Sequence, residues 1–132
     1  MEKLLAEARA KNVTIIYSTF PGPTIGDTLP QVAPKPNEPH VTAFLDKFVG
    51  TDLDKMLKEK GIKSVIVVGS ASNGAVLYTA SSAFFHGYQT IVPVDGLSGK
   101  SAYIDQYSVY NFVSAPVMGG KVTLTRTDMI KF

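Results

Sequence analysis

The sequence predicts an α/β fold, a three-layer sandwich built on a mainly parallel sheet, and three observations predict it. Short β-branched runs alternate with stretches of helical spacing along the whole chain. One such run, SVIVV at residues 64–68, has no polar alternation, as expected of a parallel strand covered on both faces. It feeds the apolar run LYTASSAFF through a glycine-flanked polar turn, GSASNGAV at residues 69–76. A turn from strand to helix is where α/β proteins place their chemistry.

Taken in order, Leu4, Leu5 and Ala8 recur at helical spacing among good helix formers, so residues 2–11 read as an amphipathic helix stopped by Asn12. Residues 13–18 follow as a buried strand. Residues 19–39 hold most of the eight prolines and no period survives in them, which makes this segment a long loop or arm over the surface. Thr51 and Asp54 have the spacing of a capping box, and Leu53, Met56 and Leu57 supply the apolar stripe of a second helix that Gly61 ends. After the strand at 64–68, a helix at about 73–86 is apolar nearly all round and is expected to be largely buried; Gly87 closes it. A strand at 90–94, a helix within 102–113 and a strand at 121–125 complete the alternation. Tyr103, Tyr107 and Tyr110 fall at i, i+4 and i+7 and read as a buried packing stripe, with a stacking platform or subunit interface as the sharper alternative.

A chain of 132 residues fits one domain, 1–132, able to bury a core unaided. Hydrophobic residues at 45% against charged residues at 18% mark a packed globular protein rather than a disordered one. The net charge of +2 is too small to call for nucleic acid or a membrane surface as partner. With no cysteine, thiolate nucleophiles, disulfides and cysteine metal sites are all excluded. His40 and His86 are too few and too scattered for a metal site, so no metal and no cofactor is expected. The N-terminal MEKLLAEARAKN lacks a secretory apolar stretch and no run of about 18 apolar residues occurs, so a cytoplasmic protein is expected.

The stretch LDKMLKEKGIKSVIVVGSASNGAVLYTASSAFFHGYQTIVPVDGLSG resembles the core of the isochorismatase-like hydrolases, the cysteine hydrolase superfamily that includes nicotinamidases. Their pattern is a helix, Gly-Ile, a strand, G-x-A-T-N-x-C-V, a helix, a strand and an aspartate. Gly69, Ala71, Asn73, Val76, Thr79, Ala80, Gly87, Tyr88 and Asp95 match it, and Ser72 stands for the threonine. The resemblance implies a truncated isochorismatase-like, Rossmann-like fold. Three features of the family's chemistry have no counterpart. Its nucleophilic cysteine falls on Ala75 and its lysine near Thr42, with Lys47 close but out of register. Its aspartate belongs to a first strand that these residues lack.

What the resemblance leaves is the backbone of the site. It implies an oxyanion hole from the amides of Ala71 and Ala75, a cis peptide at Ser70–Ala71, and helix N-terminal amides aimed at a small anion. The candidate ligand-binding residues are therefore Ser70, Ala71, Ser72, Asn73, Gly74, Ala75 and Asp95, for a small anionic or carbonyl ligand. Ser72 reads as a turn or N-cap residue rather than a nucleophile, because the sequence places no base beside it. Asp95 is either a site carboxylate at a strand's carboxyl end or the cap of the DGLSG turn. Asp46 and Lys47, being adjacent, are expected to face opposite ways. The leading expectation is a pseudoenzyme that binds a ligand. The alternatives are a hydrolase working through Ser72 or an Asp95-held water, and an interaction protein with a vestigial cleft. The missing central strand implies either that the strands at 13–18 and 64–68 close up, or that another copy fills the gap, most simply in a homodimer.

Overall fold

The computed structural model describes residues 1–22 and 28–132. Helix α1, Glu2–Ala10, buries Leu4 and Ala8, with Glu2 in its first turn and Arg9 in its last to complement the helix dipole. Asn12 stops it as expected: its φ of 55° turns the chain so that Val13 N–H donates to Ala8 O at 2.9 Å. Strand β1, Tyr17–Thr19, is shorter than expected and runs parallel to β2, His40–Thr42. Sequence reading missed β2, whose three residues follow a proline-rich stretch and are too few to show a period.

The expected arm is, where described, a fastened segment rather than a free excursion. The Arg9 guanidinium takes both Glu38 carboxylate oxygens at 2.8 and 2.9 Å and donates to Ala33 O, while Tyr17 Oη donates to Val32 O at 2.6 Å. Residues 23–27 of that arm lie outside the described residues.

Thr51 Oγ1 accepts from Leu53 N–H and donates to Lys47 O, starting helix α2, Leu53–Glu59. Strand β3, Ser64–Ile66, lies at one edge of a parallel sheet of order β3-β5-β7, with β5 spanning Gln89–Pro93 and β7 Thr123–Thr125. Between them come β4, Gly69–Ser70, helix α3, Leu77–Phe85, β6, Leu97–Ser98, and helix α4, Ala102–Ser114. The architecture is the expected α/β one of parallel strands and helices. Val41, Phe48, Leu53, Leu57, Ala83 and Tyr88 form one apolar cluster, and Ala80, Val92, Phe112, Met118 and Val122 another. Helix α3 serves both through neighbouring turns.

Three expectations need correction. Tyr103, Tyr107 and Tyr110 are not a buried stripe: they are 72%, 46% and 68% exposed, because α4 turns Ser108 and Phe112 inward instead. Helix α3 is not buried all round either, since Tyr78 and Phe85 face outward. Residues 65–68 are only half-buried despite their apolar run. The reason lies in the sheet: among the described residues no strand joins β1 to β3, so the closing-up of the two half-sheets does not occur.

Candidate functional site

The turn at 69–76 is positioned by the β4–β6 pair, which sets Gly69 against Leu97 and Ser70 against Ser98. Gly69 has φ 118°, a conformation that requires glycine. The Ser70–Ala71 peptide is cis, where the family resemblance puts it. A wide turn, Ser72–Val76, follows before α3 takes up regular winding at Leu77. In it Gly74 N–H and Val76 N–H both donate to Ala71 O, at 3.0 and 3.2 Å. Those two amides are therefore closed on the chain itself and do not face a ligand. Ser70, Ala71 and Asn73 are exposed, Ala75 is half-buried, and Gly74 is packed beneath Leu45.

Ser72 departs from its expected role. Its hydroxyl is fully buried and has no hydrogen-bond partner, so it caps nothing. It shares a small space over the Gly99 Cα with Asp105 Oδ1, which is likewise buried and unpartnered; a β-carbon at position 99 would lie 2.6 and 2.8 Å from the two oxygens. Neither Asp105 nor Gly99 carries a sequence signal that marks it in advance, since their meeting depends on how the β6–α4 connection folds over the turn.

Asp95 follows β5 as expected, but its carboxylate accepts from Thr127 N–H at 2.8 Å and Thr127 Oγ1 at 2.7 Å. Partial desolvation pushes its pKa up, yet the Thr127 hydrogen bonds outweigh it and hold the carboxyl below the usual aspartate value. It caps the Thr127–Met129 turn, not the DGLSG turn.

Lys47 is the residue the sequence undervalued. Its ammonium is buried among three carbonyl oxygens, donating to Thr19 O at 3.1 Å, Ala43 O at 2.6 Å and Phe44 O at 2.9 Å, which uses all three of its N–H groups. Burial lowers its pKa below the ordinary lysine value. At the register of the family lysine, Thr42 Oγ1 instead lies 3.1 Å from Thr19 Oγ1 and 3.3 Å from His40 Nε2. His86, the C-cap of α3, bonds Ser82 O through Nδ1 and stacks on Phe48 at 4.6 Å. A cavity of about 480 Å³ opens beside Gly69 and Ser70 and is also lined by Lys47 and Thr79. The turn thus presents Ser70, Ala71 and Asn73 at the surface, with the Ala75 methyl group half-buried.

Comparison with known proteins agrees with this geometry. The isochorismatase domain family matches residues 1–126. An isochorismatase family protein of Bacillus subtilis (strain 168), YwoC, is 45% identical over 51 residues, 39% of this chain and 27% of that protein, so the match spans about a quarter of that relative's length. Among solved structures, an isochorismatase-like hydrolase of Alkaliphilus metalliredigens superposes with TM-score 0.84 at 23% identity, covering 96% of this chain and 75% of its own. The N-carbamoylsarcosine amidase of Thermoplasma acidophilum gives TM-score 0.82 at 22% identity over 99% of this chain and 82% of its own. The nicotinamidase of Staphylococcus aureus gives 0.74 at 23% identity over 92% and 78%. At these identities the structures establish the shared fold, and with the family match along nearly its whole length, this chain belongs to the isochorismatase family.

Proposed function

We propose that this chain binds a small anionic or carbonyl-containing ligand at the 69–76 turn and does not cleave it by a thiolate route. One observation carries the reading: the position of the family's nucleophile holds none. Position 75 presents a methyl group, the sequence has no cysteine, and the Ser72 hydroxyl is fully buried. Lys47 holds its ammonium on three carbonyls and Asp95 is engaged by Thr127, so neither is free as a base. The ligand class follows from relatives whose names specify small amides, an N-carbamoyl amino acid and nicotinamide.

The test is turnover of nicotinamide, N-carbamoylsarcosine and isochorismate, with binding of the same compounds followed by chemical shifts at Ser70, Ala71 and Asn73. Shifts without turnover support the reading. Turnover that Ser72→Ala abolishes overturns it in favour of a serine route.

The exposed tyrosines of α4 favour a second reading, a homodimer that works as an interaction protein. A light-scattering mass near twice 14.2 kDa, reduced to the monomer by Tyr103→Lys with Tyr110→Lys, is its signature.

A further inference from the structure

The outward faces of β1 and β2 gather reactive side chains at one place. From residue 40 to residue 44 burial alternates: His40, Thr42 and Phe44 are exposed while Val41 and Ala43 are buried, so the three exposed side chains stand in a row on one face. The parallel register sets Thr19 of β1 directly against Thr42. Both threonines close their strands, and the carboxyl ends of parallel strands are where α/β folds place ligands. Lys47 fixes the end of β1 by donating to Thr19 O at 3.1 Å.

Three polar atoms meet there. Thr42 Oγ1 lies 3.1 Å from Thr19 Oγ1 and 3.3 Å from His40 Nε2, and Nε2 is also 3.3 Å from Thr19 Oγ1. A cross-strand threonine pair alone is an ordinary sheet contact. The imidazole changes its chemistry: with the ring proton on Nδ1, Nε2 is an acceptor and the Thr42 hydroxyl donates to it. A hydroxyl with a base within hydrogen-bond reach is the arrangement that activates an otherwise weak nucleophile. Next to it, Phe20 and Phe44 meet edge to face with ring centres 5.0 Å apart, and both are exposed. Polar groups beside an open aromatic wall suit a molecule with a reactive polar bond and a flat apolar part.

We propose that Thr42 and His40 form a nucleophile–base pair that hydrolyses esters of aromatic carboxylic acids. Thr42 Oγ1 bonds to the ester carbonyl carbon and gives its proton to His40 Nε2; the C–O bond to the alcohol breaks, and the alcohol leaves with that proton. Water then attacks the acyl group on Thr42 and gives a proton to Nε2, which passes it back to Thr42 Oγ1 as the acid departs. The Thr19 hydroxyl is a donor for the charge on the carbonyl oxygen, and the aromatic ring of the acyl group packs on Phe20 and Phe44. This activity uses neither the 69–76 turn nor a ligand bound there.

The probe is p-nitrophenyl benzoate, with release of nitrophenolate followed in the full chain and the peptide bearing Thr42 weighed after an early acid quench. Steady turnover and a benzoyl group on Thr42 are expected. Thr42→Val, which keeps the shape and removes the hydroxyl, and His40→Asn are each expected to lower kcat/KM by about a hundredfold, while Thr42→Ser stays within about tenfold of the unaltered chain. Phe44→Ala is expected to weaken the preference for the benzoate over p-nitrophenyl acetate. No turnover by the unaltered chain, or a benzoyl group on another residue, overturns the proposal. Full activity in Thr42→Val with loss in His40→Asn means that the imidazole works alone, which overturns it as well. An unchanged preference in Phe44→Ala overturns the aromatic assignment.

Discussion

Asp95 holds Thr127 by two bonds across 32 residues of chain, taking the backbone N–H at 2.8 Å and the hydroxyl at 2.7 Å. The pair pins the Thr127–Met129 turn to the carboxyl end of β5, and Ile130 beyond it is buried. Replacement by asparagine keeps an acceptor, whereas Asp95→Ala removes both. Asp95→Ala is expected to speed amide exchange at Thr127 and lower the melting temperature by a few degrees, with Asp95→Asn in between. Unchanged exchange at Thr127 in Asp95→Ala means the turn is held by something else.

The Arg9–Glu38 pair gives an acid-sensitive joint between α1 and the arm. The charge-assisted hydrogen bonds from Arg9 hold the Glu38 pKa below the ordinary glutamate value, against an opposing push from burial. Because the folded value is depressed, the stabilisation is fully present above the unfolded pKa of about 4.3 and is lost as pH falls through the folded value. Glu38→Gln is expected to cost about 1 to 3 kcal/mol at pH 7. Denaturant midpoints of the two proteins should converge below about pH 4; a gap that stays constant down to pH 2 rules out this linkage.

Gly99 is present for room rather than for backbone freedom. A β-carbon there meets Ser72 Oγ at 2.6 Å, Ile104 Cγ2 at 2.7 Å and Asp105 Oδ1 at 2.8 Å, all too close. Gly99→Ala is therefore expected to destabilise by about 1 to 3 kcal/mol and to disturb the 69–76 turn through Ser72. The companion Ser72→Gly should recover part of that loss, since it removes the nearest of the three atoms. Equilibrium unfolding of the two single variants and the double variant measures the coupling, and strict additivity would contradict direct contact.

Ala75→Cys restores the family's thiol but not its surroundings. With Thr42 at the lysine register, bonded to Thr19, and with no partner carboxylate supplied, the variant is expected to hydrolyse nicotinamide at the rate of the unaltered chain, within tenfold. A gain of a thousandfold or more would show that Lys47 or another group reaches the turn as a base.

How much was legible varied with the kind of signal. The strand expected at 64–68, found at Ser64–Ile66, the turn and the helix stops at Asn12 and Gly61 were readable because each rests on local chemistry, while the cis peptide followed from the family resemblance alone. Strand β2 was not, because His40–Thr42 is too short to have a period. The α4 tyrosines misled because i, i+4, i+7 spacing defines a face without saying which way it points. Ser72, Gly99 and Asp105 meet through tertiary folding, and Asp95 finds Thr127 at the far end of the chain; sequence spacing holds no trace of either. Lys47 stands out of register with the family lysine, and only the folded structure shows its ammonium held by three carbonyls.

The open edges beside Ile16 and Ile66 also bear on how this chain behaves in a test tube. An unpaired apolar edge is a template for any extended segment, including one from a partly unfolded neighbour. A strand lent by one copy leaves that copy with a gap of its own, so the exchange does not close on itself but passes along a row. The unpaired edges of β1 and β3 thus make the chain prone to open-ended aggregation.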